Sequence, residues 1–548
     1  MVNIATRLKE MAAAYPYKKA VIAPVGKDTG GRITYAHFTF AQLDADSSRI
    51  AGGLERAGIG RGTRTILMVR PSLDFFSLVF GLFKAGVVPV VVDPGMGVDR
   101  MLTCFAECRP QAFIGIPLAH ALRVMKPKFF KTVRAWVTVG RRWFWGGPTL
   151  RQIRRAGSDD YTVARTRRDE TAAILFTTGS TGPAKGVVYT HGNFDAQIQQ
   201  IQDHFQIGPD EVDLPTFPLF ALFDPALGMT AVIPDMDPTK PAFVNPEKII
   251  EAILNHGVTN MFASPALLNR VGGFCRRKNI QLPPLRRVVS AGAPVHPANI
   301  EQFSHALLED AEIHTPYGAS EAVPIISMGS REILSETRKM TEQGFGNCVG
   351  RPLSNVTVRL IRITDLPIEE WDDGLLVSQG EPGEIVVKGD HVTAAYYSRP
   401  KDTAAAKIPD RDGSFWHRMG DLAWMDQQGR FWFIGRKNHR VITPRGALFT
   451  IPCEAIFNNH PDVARSALVG LGKPKNQIPV ICIEVAKGKK INKKRLKAEL
   501  LELAGTHPLT REIEYILFHN GFPVDIRHNS KIFREKLAVW AQRKIKTT

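Results

Sequence analysis

The apolar positions of the chain alternate between short β-branched runs and amphipathic stretches. RTILMVR at 64–70 reads as a strand and VVPVVVD at 87–93 as a second. Between them SLDFFSLVFGLFKAG at 72–86 reads as a helix, with Phe76, Val79, Leu82 and Phe83 on one face and Gly86 closing it. The pattern returns with a helix at 247–255 ended by Gly257, a strand VTNMFAS at 258–264, a helix PALLNRVGGF at 265–274, and strands RRVVSA at 286–291 and AEIHTP at 311–316. Buried β-branched runs separated by amphipathic helices predict parallel sheets covered on both faces, with ligands at the carboxyl ends of the strands.

After about residue 344 the texture changes to VTVRLIRI, GEIVVKG, FWHRMGDLAWMD and GRFWFIG, with turns at 381–383 and 428–429. Short alternating segments of this kind predict an antiparallel β subdomain. From about 436, strands SALVGL and PVICIEVA and helices KKRLKAELLELAG and KIFREKLAVWAQR predict a small α+β unit. The expected fold class is therefore α/β: a large N-terminal domain over 1–435 with parallel strand-helix-strand sheets, a β subdomain at about 344–435, and a small mobile C-terminal domain over 436–548. A chain of 548 residues exceeds what one core normally organises, which agrees with several packed units.

Composition narrows the class. The chain is 44% hydrophobic and 23% charged, with a mean hydropathy of -0.11, which excludes disorder as the main state. Its most apolar stretch, 214–234, carries Asp224 and is broken by Pro215, Pro218 and Pro225, so no transmembrane segment is expected. The first twenty residues hold no continuous apolar run like that of a signal peptide, and the expected compartment is cytoplasmic. The six cysteines lack disulfide or zinc spacing; Cys104 and Cys108 would share a helix face, but no histidine accompanies them, and buried thiols are expected.

The net charge of +18 is unevenly placed. Between 121 and 168 there are 13 basic residues against Asp159 and Asp160, interleaved with Trp136, Trp143, Phe144 and Trp145, and 487–497 holds 7 basic residues. These runs read as solvated faces or as docking surfaces for an acidic partner, anionic lipid headgroups or nucleic acid. No nucleic-acid motif supports the last.

Candidate chemistry concentrates in LFTTGSTGPAKG at 175–186, between the strand-like runs TAAILF and VVYTH. Gly179, Gly182 and Gly186 permit sharp turns that aim N–H groups at anionic oxygens. Thr177, Thr178, Ser180 and Thr181 add hydroxyls and Lys185 a positive charge. The segment reads as a phosphate loop or as a flexible linker. It is not a Walker A loop, because Gly186 follows Lys185 and the Gly-to-Lys spacing differs.

This segment resembles the phosphate loop of the acyl-adenylate-forming superfamily, which includes acyl-CoA synthetases, peptide-synthetase adenylation domains and luciferases; Pro183 and Ala184 stand in swapped order. Further matches follow in that family's order, from roughly residue 30 to 535. SAGAPV at 290–295 resembles the adenine-binding segment, which implies that Gly292, Ala293 and Pro294 let a flat base lie against the backbone. YGASE at 317–321 resembles the YGxTE motif and implies nucleotide contact at Tyr317, Gly318 and Ser320, with Tyr317 on adenine, Ser320 replacing the usual threonine at phosphate, and Glu321 holding magnesium. In MGDLAWMD, Asp421 matches the aspartate that accepts both ribose hydroxyls. In GRKNHRV, Arg436 matches the arginine near ribose and phosphate that opens a hinge, with Asn438 where relatives carry the Asp or Lys that pivots. NSKIFRE at 529–535 resembles the terminal motif, implying that Lys531 reaches the acyl carboxylate and the α-phosphate. Lys531, Glu321 and Lys185 are the implied catalytic residues, and ATP and Mg2+ the implied cofactors.

Stretches at 214–241, 362–389, 452–470 and 524–538 resemble more closely the β-lactone synthetases of the bacterial long-chain olefin pathway. That resemblance implies a 2-alkyl-3-hydroxy fatty acid, activated as acyl-AMP, whose own 3-hydroxyl expels AMP to form a β-lactone. Phe217, Phe220 and Phe223 then wall an alkyl channel or belong to the core, and Asp224 caps a helix or meets the substrate hydroxyl. The alternative product is a long-chain acyl-CoA thioester; from another class, the chain is a silent scaffold. The resemblance also implies a long-chain 3-hydroxy acid as substrate and assembly with other enzymes of the olefin pathway, for which 121–168 is the candidate face. It implies no nucleic acid partner and leaves peripheral membrane contact open.

Overall fold

The computed structural model describes residues 2–177, 184–217, 223–486, 488, 491–524 and 532–546. Its first sheet runs Glu312–His314, Arg287–Ser290, Asn260–Ala263, Val212–Pro215, Thr230–Val232, Lys19–Lys27 and Ile33–Thr39, parallel except for the last hairpin. The second runs Ala395–Tyr396, Lys185–Thr190, Thr171–Thr177, Val88–Val92, Arg64–Met68, Ala112–Gly115 and Ala135–Thr138. Its last five strands are parallel, whereas Lys185–Thr190 and Ala395–Tyr396 add antiparallel. The parallel sheets expected from the sequence are thus present, finished by hairpin edges.

Alternation along the parallel strands explains why both faces are covered. Ile66 and Phe113 belong to one apolar cluster, while their neighbours Leu67 and Ile114 belong to another. The second cluster holds residues from both sheets together with the helices Phe40–Arg56 and Leu73–Lys84. Leu73–Lys84 is buried from Phe75 to Lys84, as an all-round apolar helix must be. Ser72 accepts a hydrogen bond from the Phe75 N–H at its start, and Gly86 follows at φ +65°. Lys84 at its end is tolerated because its ammonium donates to Asp44 Oδ1 at 2.6 Å and Ser48 Oγ at 2.8 Å.

The third sheet is antiparallel, in the order Tyr317–Ala319, Ala322–Ser327, Asn347–Pro352, Phe431–Arg436, Phe415–Met425, Gly383–Lys388 and Thr357–Ile361, with Lys407–Pro409 beside Phe415–Met425. It begins at Tyr317, earlier than the change of texture near 344 suggests, because the tight hairpin of the YGASE segment supplies its first two strands. The segment after Arg436 carries Val463–Lys473, Asn476–Val485 and Tyr515–Phe518 in one sheet, flanked by helices Thr450–Asn458, Lys493–Thr506 and Arg534–Lys546. All six cysteines are free thiols, and burial pushes Cys104 up to about 11 and Cys108 to about 12. No group of metal-ligating residues and no helix long and apolar enough to cross a membrane occurs among the described residues.

Candidate active site

The described candidate side chains gather where the second and third sheets meet. Thr171–Thr177 and Lys185–Thr190 form an antiparallel hairpin in which Thr177 pairs with Lys185. The glycine-rich connection therefore leaves the carboxyl end of a parallel strand, where ligand loops of open α/β sheets lie. Thr178, Gly179, Ser180, Thr181, Gly182 and Pro183, the Thr177 side chain, Phe220 and Lys531 lie outside the described residues. SAGAPV begins on the last residue of Arg287–Ser290, and Tyr317 follows Glu312–His314; because those two strands pair in parallel, Gly292, Ala293 and Pro294 leave the sheet beside the approach to Tyr317.

The YGASE hairpin is shaped by a steric demand at Gly318. A Cβ there would lie 2.6 Å from the Ala322 carbonyl oxygen and 3.0 Å from Val323 Cα. This close turn brings Tyr317, Ser320 and Glu321 to one place. The Tyr317 hydroxyl donates to Asp421 Oδ2 at 2.6 Å, and Arg436 Nε lies 2.9 Å from Asp421 Oδ1. Asp421 and Arg436 are direct partners across the strands Phe415–Met425 and Phe431–Arg436. Asp421 is 5% exposed, and its charge is balanced by the guanidinium. Burial raises the Tyr317 hydroxyl well above its usual range, with Asp421 adding to the effect, so Tyr317 stays a neutral donor. Each carboxylate oxygen has a second lone pair, so this aspartate can still accept the two hydroxyls of a ribose.

A second group surrounds Glu321. The Tyr396 hydroxyl donates to Glu321 Oε1 at 2.6 Å, and the Thr393 N–H donates to the Glu321 carbonyl at 2.9 Å. Lys185 Nζ sits 4.9 Å from the Tyr396 ring centre and 2.8 Å from Asp402 Oδ1. The Tyr189 hydroxyl donates to the Ser320 carbonyl. Behind this group the buried amine of Lys407 donates to the Thr393 carbonyl, and burial pushes it down to about 7, with Glu321 opposing. Lys185 and Glu321 are thus brought together through one tyrosine. An ammonium has three donors, so Lys185 can hold Asp402 and still offer hydrogens to a phosphate.

Tyr396, Asp402, Tyr189 and Lys407 escape the sequence reading. The only local signal is the pair Tyr396-Tyr397 ahead of Arg399-Pro400, and it gains meaning only when Ala395–Tyr396 pairs with Lys185–Thr190. Among the apolar channel candidates, Phe217 is half-buried, and Phe223 packs on Phe194 with ring centres 5.6 Å apart, joining the core. Asp224 precedes the turn Pro225–Leu227 without capping it through its side chain. It lies instead against Asp213. Burial pushes Asp213 up to about 7, with the hydrogen bond from Asp224 opposing, and pushes Asp224 well above the carboxylate range, with the neighbouring Asp213 adding to the effect. The neutral form of Asp224 is favoured, with its hydroxyl directed at Asp213.

The chain is anchored on both sides of Asn438. Lys437 Nζ donates to both Glu384 oxygens at 3.0 Å, Arg418 Nη2 lies 2.6 Å from the same buried carboxylate, and Arg440 pairs with Asp365 at 2.7 Å. Asn438 itself is exposed. Arg534, the arginine of the NSKIFRE segment, pairs with the buried Glu454 on Thr450–Asn458, which fixes the chain three residues after Lys531.

Residues 8–397 match the family described as AMP-binding enzyme. The chain belongs to this family. Over 98% of its length it is 47% identical to an olefin beta-lactone synthetase of Xanthomonas campestris pv. campestris, covering 97% of that protein. It is also 47% identical to the one from Stenotrophomonas maltophilia, over 98% of both chains. A long-chain-fatty-acid–CoA ligase of Mycobacterium tuberculosis, FadD13, is 24% identical over 92% of each chain. Among solved structures, the amide bond synthetase McbA from Marinactinospora thermotolerans superimposes with a TM-score of 0.78 at 21% identity, covering 98% of this chain and 99% of that one. That likeness concerns the fold, and it extends across the sheets and the C-terminal segment.

Proposed function

We propose that this member of the AMP-binding family is an olefin β-lactone synthetase. In the first step the carboxylate of a long-chain 2-alkyl-3-hydroxy acid attacks the α-phosphorus of ATP; the new bond is acyl–O–P and pyrophosphate leaves. In the second, the oxygen of the acid's own 3-hydroxyl attacks the acyl carbon, AMP leaves with the bonding pair, and the hydroxyl proton passes to solvent. A bare carboxylate has no competent leaving group, and the phosphoanhydride supplies one. Because nucleophile and acyl carbon share one molecule, no thiol acceptor is required, and good orientation is equivalent to roughly 10⁵ M or more of added nucleophile, opposed in part by ring strain.

The observation that carries the reading is the 47% identity, end to end, with the Xanthomonas enzyme. The site supports it. Asp421 suits ribose, Gly292 to Pro294 and Tyr317 suit adenine, and Lys185, Ser320 and the loop 177–182 suit phosphates. Glu321, a single carboxylate, fits magnesium that arrives bound to nucleotide phosphate, since such ions take one or two protein carboxylates and complete their shell with phosphate and water. When bound, the ion would neutralise charge on the β- and γ-phosphates. Lys531 is assigned to the developing charge on the α-phosphorus, with the chain after Arg436 acting as a lid over a nucleotide domain ending at 435. Phe217 and Phe220 are assigned to the alkyl chains, whereas Phe223 belongs to the core. ATP use and six free thiols suit the cytoplasm, and other enzymes of the olefin pathway are the proposed partners.

Incubation of the purified protein with ATP, magnesium and a long-chain 2-alkyl-3-hydroxy acid, with CoA omitted, is expected to yield β-lactone, AMP and pyrophosphate. A thioester that forms only when CoA is added would overturn the proposal in favour of the ligase reading. Lys531→Ala should lower single-turnover adenylate formation on the order of 100-fold to 1,000-fold while ATP binding survives. Unchanged adenylate yield would remove Lys531 from the chemistry.

A further inference from the structure

One flank of the second sheet carries a surface that the proposed reaction leaves unused. From Glu107 to Asp159 no acidic residue intervenes. The seven cations from Arg123 to Arg142 make no ion pair among the described residues. Elsewhere the guanidinium groups are mostly neutralised; Arg154, just beyond, lies 2.8 Å from Asp46 and 2.7 Å from Asp74. Among these unpaired cations stand large apolar side chains in water. Leu118 is 66% exposed, Met125 67%, Trp143 52% and Phe144 78%.

The aromatic tip is built on a fixed root. Trp145 is buried and stacks on His120 with ring centres 5.1 Å apart, and its indole N–H donates to Thr138 Oγ1 at 2.9 Å. The Trp136 indole donates to the Trp145 carbonyl at 3.2 Å, and Arg142 donates to the Gly147 carbonyl. The Trp143 and Phe144 rings each lie 5.3 Å from that of Trp145. The two exposed rings are therefore held outward beside the helix Pro117–Met125, whose His120 supplies the stacking face. Burying such rings would be favourable by about 2 kcal/mol or more each, so a fixed exposed pair marks an interaction surface.

The chemistry of the occupant follows from the ring of charge. Cores of protein interfaces are depleted in lysine and in charge generally. Apolar rings at the level of lysines and arginines, with no acid between them, match an interfacial anchor on anionic lipid. Position agrees as well. The strands Thr171–Thr177 and Ala135–Thr138 are parallel, so their carboxyl ends, at Thr177 and at Thr138 ahead of Trp143 and Phe144, lie at the same end of the sheet, four strand spacings or about 19 Å apart.

We propose that this flank docks on an anionic phospholipid bilayer, with Trp143 and Phe144 at headgroup depth and Lys126, Lys128, Arg141 and Arg142 on lipid phosphates. The contact turns the nucleotide-binding edge toward the membrane surface. The proposal holds whichever carboxylic acid is activated.

Vesicle sedimentation tests it with the full chain. The unaltered protein is expected to bind vesicles of phosphatidylcholine mixed with phosphatidylglycerol, to bind pure phosphatidylcholine weakly, and to be released at about 1 M salt, where the screening length falls to about 3 Å. Replacing Lys126, Lys128 and Arg141 together with Gln should weaken partitioning on the order of 100-fold. Trp143→Ala with Phe144→Ala should weaken it by about tenfold or more. Pyrophosphate exchange in solution and the melting temperature should stay unchanged in both variants, since these side chains are exposed. No binding by the unaltered protein, or equal binding by both variants, overturns the proposal. So does loss, in the same variants, of binding to a purified protein partner when the vesicles bind nothing; the flank would then be a protein interface.

Discussion

Replacing Lys407 with methionine should stabilise the protein at neutral pH, and the gain should shrink as the pH rises. The Lys407 amine is 7% exposed and its one neutral acceptor is the Thr393 carbonyl. Burial pushes it down from its usual 10.5 to about 7, with Glu321 partly opposing. In the unfolded chain lysine keeps its proton to about pH 10.4. Between about pH 7 and that value the unfolded state therefore binds one proton that the folded state has released, and stability rises with pH. Below pH 7 the folded protein carries the charged amine at its full cost, on the order of 5 kcal/mol. Methionine fills a similar volume without charge and loses one hydrogen bond worth about 1 kcal/mol. The variant should thus be the more stable by a few kcal/mol at about pH 6, and the gap should close by about 2 kcal/mol between about pH 7 and 9. Urea unfolding of both proteins across that range, followed by a probe of the large lobe, measures the difference. A gap that does not vary with pH would refute the reasoning, because it would mean that Lys407 stays charged in the fold and that Glu321 compensates its burial.

The buried acids predict the opposite slope. Burial raises both Asp213 and Asp224, and Asp213 raises Asp224 further, so the stability they contribute is complete below the unfolded carboxylate pKa of about 3.9 and is lost as the pH rises, through about 7 for Asp213 and beyond for Asp224. Asp224→Asn keeps a donor for Asp213 without the titrating proton, and it should outlast the parent in thermal unfolding by a margin that grows from about pH 6 to 9; a constant margin would contradict the raised carboxyl of Asp224. Gly318→Ala places a methyl carbon 2.6 Å from the Ala322 oxygen, which should cost about 1–3 kcal/mol and displace Tyr317 and Glu321. The kcat/KM for ATP should fall at least about tenfold with the overall circular dichroism unchanged, and full activity would show that the hairpin yields freely. Tyr396→Phe removes the donor at 2.6 Å from Glu321; charge-assisted bonds of this kind contribute about 1.5–3 kcal/mol, so adenylate formation should slow about 10-fold to 100-fold, and an unaltered rate would separate Tyr396 from the site.

Much of the fold was legible because the strands of the first two sheets are covered on both faces, which leaves unbroken β-branched runs such as 87–93 in the sequence. The antiparallel sheet was legible in its alternation but not in its start, since Tyr317–Ala319 is only three residues long and carries no period of its own. Candidates that lie in a short motif, Asp421 and Arg436 among them, could be named from the chain alone, and the structure brings these two together. Tyr396, Asp402 and Lys407 could not. Each enters the site from the segment 395–407, which crosses from the antiparallel sheet to pair with the phosphate hairpin, and no local pattern records a long-range crossing. Of the Asp213–Asp224 pair the chain alone pointed to Asp224, an acid inside an apolar stretch, whereas Asp213, eleven positions earlier in the strand Val212–Pro215, is recognisable as its partner only in three dimensions.

The single rung that joins Asp421 to Arg436 has a mechanical meaning. The carboxylate assigned to the sugar and the residue at which a pivot is proposed share an ion pair at 2.9 Å, so a nucleotide that tugs on the one would shift the electrostatic balance of the other. With the proposed sugar site and joint, cargo would be wired to swivel without any relay between them: occupancy would reach the joint in one step, and a change in the lid's attitude would be felt first by the sugar.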